Sequence, residues 1–141
     1  METTSEHPHI TLARNLFAAW SSGNADAPAP YLHPDAVLYD TVGGRHHGWS
    51  TIRKFFDDGN AIWSDLNFDV GAYWVSDSGV ALRWVMSATV PDDRFGPDAK
   101  GKKWTVDGMT ELTIVDAKVS YEADHWNGAQ IMNSLGLPAR K

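Results

Sequence analysis

The chain has 141 residues, 43% hydrophobic and 21% charged, with a net charge of −6 and no cysteine. That length suits a single domain over 1–141 with one buried core, and the missing cysteine excludes disulfides, thiolate metal sites and a thiol nucleophile. The acidic balance, with basic residues scattered apart from Lys100, Lys102 and Lys103, argues against a nucleic-acid partner, and no apolar run approaches the roughly 20 residues that would cross a bilayer. The N-terminal stretch lacks the pattern of a secretory signal, so a cytoplasmic location with no membrane partner is expected.

Ile10, Ala13, Phe17 and Trp20 recur at helical spacing, with Leu12 and Leu16 widening the stripe and Ser21 to Asn24 as a stop. The proline-rich segment that follows holds at most a short helix before Pro34, and Val37 to Val42 reads as a strand. Gly43-Gly44 suits a two-residue hairpin turn. Trp49, Ile52, Phe55, Phe56, Ile62 and Trp63 then mark a second long helix.

Alternation returns in Phe68, Val70, Ala72 and Trp74, and over a longer run from Val80 to Val90. A polar loop leads to strands over Trp104 to Val115 and Val119 to Trp126, joined by a turn at Val115 to Lys118. A last short helix fits Ala129 to Leu135, closed by Gly136 and Pro138. Helices followed by consecutive hairpins give an α+β fold in which a curved antiparallel sheet wraps around N-terminal helices, a cone whose mouth is a natural ligand pocket.

The stretch from Ser22 to Gly43 is similar in spacing to the segment of ketosteroid isomerases that ends at their catalytic aspartate. The stretch from Thr110 to Gly136 is similar, without a gap, to the last hairpin and helix of SnoaL-like polyketide cyclases. The chain thus resembles the nuclear-transport-factor-2-like superfamily over nearly its whole length. The resemblance implies a base at Asp40 and an acid/base aspartate at Asp124. It also exposes departures. Leu16 and Thr110 stand where the isomerases carry the tyrosine and carboxyl of their oxyanion hole, Thr110 replaces the cyclase histidine, and the Arg-x-Asp pair of related epoxide hydrolases is missing.

With a two-residue turn at Gly43-Gly44, Asp40 faces His47 across the hairpin. That would make them a hydrogen-bonded pair in which either group is the base, against the competing reading of an exposed strand end with a loop histidine. Asp124 is expected on the concave face with Glu122 and Trp126 in its phase. Its alternative role is a structural carboxylate tied to a helix end or an arginine. Thr110, Trp84, Trp104, Trp126 and Tyr31 are the expected substrate contacts, core packing being the competing use of the tryptophans.

The six histidines show no sharp ligand spacing, so neither metal nor cofactor is expected. These features together predict a cofactor-independent isomerase, cyclase or lyase/dehydratase using Asp/His proton transfer on a small apolar, aromatic or polycyclic metabolite. The alternative is a non-enzymatic ligand-binding or dimerisation module. Apolar residues on both phases around Trp84, Val85 and Met86 predict a homodimer or higher homo-oligomer.

Overall fold

A computed structural model describes residues 6–137. Helix α1 (Pro8–Trp20) has His7 as N-cap, its side chain accepting from the His9 N–H, and buries Ala13, Leu16, Phe17, Ala19 and Trp20. A 3-10 turn at Ala29–Tyr31 leads into strand β1 (Leu32–Asp40), followed by β2 (Gly44–His47) and helix α2 (Trp49–Ile62). Strands β3 (Ser64–Ser76), β4 (Gly79–Thr89), β5 (Lys103–Val115) and β6 (Lys118–Trp126) form a long meander, and α3 (Ala129–Leu135) closes the described chain. Gly136 ends α3 in the left-handed conformation, φ 72°, as its sequence position suggests. Pro138 lies outside the described residues.

The six strands form one sheet in the order β2-β1-β6-β5-β4-β3. The expectation of a wholly antiparallel sheet needs correction, because β1 runs parallel to β6. The chain crosses from β1 to β6 only after α2 and the whole meander, and that long connection permits parallel pairing. The architecture remains an α+β fold with the helices over one face of an open, curved sheet.

Strict alternation along β5 buries Trp104, Val106, Thr110 and Leu112, while β4 buries Val80, Leu82, Trp84, Met86 and Ala88. Strand β3 breaks its own alternation. A register shift between Val70 and Ala72 turns Tyr73 inward and leaves Trp74 51% exposed, out of the phase its spacing from Phe68 predicts. Val85 and Met109 are also exposed on the outer face. The β5–β6 connection is a two-residue turn with Asp116 at φ 51° and Ala117 at φ 63°, both left-handed. No helix among the described residues is long and apolar enough to cross a membrane.

Candidate active site

The site is assembled where β1 and β6 meet. Their register puts Asp40 beside Asp124, and the β5–β6 register puts Asp124 beside Thr110, so three polar residues form a row across adjacent strands on the face toward the helices. Glu122, two positions before Asp124, shares that face. Asp40, Thr110, Glu122 and Asp124 are all buried, at 6%, 1%, 2% and 9% exposure. Buried carboxyls need partners, since an unsatisfied polar group in an apolar interior costs roughly 1–3 kcal/mol and an unpaired charge more.

Each carboxyl has neutral donors. Asp40 Oδ1 accepts from the backbone N–H groups of Val42 (2.8 Å) and Gly43 (2.7 Å), and the Trp126 indole N–H lies 3.0 Å from both Asp40 oxygens. Glu122 Oε1 accepts from the indole N–H of Trp20, the last residue of α1, at 3.1 Å. Thr110 Oγ1 donates to Asp124 Oδ1 at 2.6 Å and itself accepts from the Trp84 indole at 2.9 Å. Trp84 reaches Thr110 because its ring lies across Gly108, where a Cβ would stand 2.5 Å from the indole.

Burial, then the neighbouring Asp124 charge, pushes the Glu122 carboxyl well above its ordinary range. Burial also pushes Asp124 up to about 7, although hydrogen bonds from Glu122 and Thr110 pull the other way. Both carboxyls are thus held toward their protonated forms, side by side on one strand face, and they titrate as a pair.

These carboxyls line a cavity of about 330 Å³. Its other walls come from α1 (Trp20), α2 (Phe55, Phe56), its C-cap Trp63, β3 (Leu66, Phe68), and Trp104 and Trp126. Trp63 stands edge to face with Trp104 and stacks on Phe95 of the loop before β5. The Trp104 indole N–H is buried and has no acceptor among the described residues.

The expected Asp40–His47 pair does not form. Asp40 caps its own turn, so the hairpin loop is Thr41–Gly43 and Asp40 pairs with Gly44, while His47 pairs with Val37 on the exposed face. The imidazole on the Asp40 face is His46. It stacks on Phe55 at 4.3 Å, with Nε2 3.0 Å from the Gly43 carbonyl. Among the expected substrate contacts, Trp104 and Trp126 line the cavity. Thr110 and Trp84 sit behind Asp124 and orient it, and half-buried Tyr31 packs against the core outside the lining. Glu122 was not among the expected site residues. Its signal was an acid two residues from Asp124 on a core-facing strand phase. Among the described residues, no group of three His, Asp or Glu gathers so as to hold a metal.

A family model described as a SnoaL-like domain matches residues 13–122. The chain belongs to the SnoaL-like family. Three solved structures show the same fold as this SnoaL-like domain. One is a protein of ketosteroid-isomerase-like fold from Catenulispora acidiphila, in complex with trimethylamine, at 17% identity and TM-score 0.80, covering 96% of each chain. AclR, a candidate hydroxylase from Streptomyces galilaeus, is 25% identical with TM-score 0.77 over 92% of this chain and 97% of its own. IdmH, a candidate polyketide cyclase from Streptomyces antibioticus, is 17% identical with TM-score 0.82 over 93% of this chain and 100% of its own. No protein with a curated function matches the sequence significantly.

Proposed function

We propose that this SnoaL-like domain is a cofactor-independent acid/base enzyme that moves a proton on a small, largely apolar, ring-bearing metabolite. The observation that carries the reading is the convergence of Asp40, Glu122 and Asp124 on one wall of a cavity otherwise lined almost entirely by apolar and aromatic side chains. Asp40 takes a proton through Oδ2, whose only donor among the described residues is an indole N–H shared with Oδ1, because Oδ1 is already engaged in the turn. Asp124 returns or receives a proton, with Glu122 as its local store and Thr110 fixing its orientation. Trp63, Trp104 and Trp126 flank the ring system and exclude water, which strengthens each charge interaction.

Isomerisation, cyclisation and elimination all use this chemistry. The positions that hold the isomerase oxyanion donors carry buried Leu16 and Thr110, whose proton goes to Asp124, which supports a lyase or dehydratase beside the cyclase and isomerase readings. The outer face with Trp74, Val85 and Met109 supports a homodimer as the working form. Sedimentation as a monomer at micromolar concentration would overturn that part.

The test of the chemistry is incubation with a panel of ring-bearing ketones and alcohols in deuterated water. Conversion or carbon-bound deuterium that disappears in Asp40→Asn is expected. Recovery of every tightly bound compound unchanged and unlabelled would instead identify a ligand-binding module.

A further inference from the structure

Four carboxyls, Asp40, Asp58, Glu122 and Asp124, line the cavity, and among the described residues no lysine, arginine or histidine does. Asp58 is exposed at the rim and paired with Lys54 at 2.8 Å, so its charge is offset. Among the described residues, the inner three have no cationic partner. The other ion pairs among the described residues, Arg14–Glu6, Arg53–Asp26 and Arg94–Asp92, involve none of the lining residues. What compensates the inner carboxyls is a set of neutral donors, namely two backbone N–H groups, the indoles of Trp20 and Trp126, and the Thr110 hydroxyl.

We propose that the cavity is a charge filter, admitting uncharged aryl ligands that carry hydroxyl groups and excluding anions of the same shape. The inference rests on the acid/base reading only for which cavity is the site. A carboxylate or phosphate group inside would meet like charge in a low-dielectric space with no cation to receive it, and would lose its hydration as well. A ligand hydroxyl instead finds an acceptor at Asp40 Oδ2, which among the described residues has only the Trp126 indole N–H as donor, and at the second oxygens of Glu122 and Asp124. Because neutral donors already satisfy the inner carboxyls, the site does not need an ammonium group to complete it.

The test is calorimetric binding at neutral pH of three matched probes, 2-naphthalenemethanol, 2-naphthoate and 2-naphthylmethylammonium. The alcohol is expected to bind, and the anion at least about tenfold more weakly. That gap should narrow in Asp40→Asn and in Asp124→Asn, which remove the cavity's charged carboxyls one at a time, so misfolding of one leaves the other to decide. The filter is overturned if 2-naphthoate binds as tightly as the alcohol, if the ammonium probe outbinds the alcohol about tenfold, or if the alcohol does not bind at millimolar concentration. Selectivity without solvent exchange in any compound removes the proposed chemistry and keeps the filter. Solvent exchange alongside tight naphthoate binding does the reverse.

Discussion

Two walls of one cavity are held in opposite ways. On the β1–β6 side, Asp40, Glu122 and Asp124 are fixed by named donors at 2.6–3.1 Å, so removing one atom leaves a buried group without a partner. On the other side, Trp63, Trp104 and Phe68 are fixed by ring packing, Phe68 edge to face with both Phe17 and Trp84. Packing energy scales with contact area and degrades gradually. The polar wall should therefore fail steeply and the aromatic wall by degrees.

The largest expected difference is catalytic. Asp40→Asn and Asp124→Asn should each lower turnover of a confirmed substrate by about 10²- to 10⁴-fold, with the far-ultraviolet circular dichroism unchanged. An unaltered rate in folded Asp40→Asn would remove that residue from the mechanism. Next comes pH. With Asp124 raised from 3.8 to about 7, the folded protein keeps a proton that the unfolded chain has released between those values. Stability should fall as pH rises through that window, by about 1.4 kcal/mol per pH unit for one proton, and flatten above it unless Glu122, also raised, extends the decline. Urea unfolding across pH measures this, and Asp124→Asn should lessen the slope.

Smaller effects separate the walls directly. Thr110→Val takes a donor from Asp124 and an acceptor from Trp84, and should destabilise by about 1–3 kcal/mol, whereas Trp63→Phe should cost about 1 kcal/mol in ligand affinity with stability nearly kept. Equal losses in both properties would erase the contrast. The smallest effect lies outside both walls. Ala117→Gly relieves a left-handed alanine in the β5–β6 turn and should stabilise by about 0.5–1 kcal/mol in the same unfolding assay, with ligand binding unchanged.

The elements were legible wherever hydrophobic period alone decided them. The α1 stripe, the β4 and β5 alternation and the glycine-capped α3 stand where the sequence places them. The β1–β2 register was not legible, because Asp40 serves as its own turn cap. Accepting from Val42 and Gly43 lengthens the loop to Thr41–Gly43 and slides the pairing by an odd number of residues, which exchanges the faces of His46 and His47. The family resemblance points to Asp40 and Asp124, and both line the cavity. The sequence puts Glu122 on the Asp124 face but assigns it no role, because its burial depends on the Trp20 indole, which comes from the far end of α1 and has no local signature in β6.

The parallel seam between β1 and β6 has a consequence for assembly. It joins an early strand to the last one, so the loop it closes spans most of the chain and carries the largest entropic penalty of any strand contact in the sheet. Nothing synthesised before β6 can place two acids side by side, and a fragment that stops short of it lacks Glu122, Asp124 and Trp126. A bound ligand that grips both strands ties the two ends of the fold together, coupling occupancy to the survival of the whole domain.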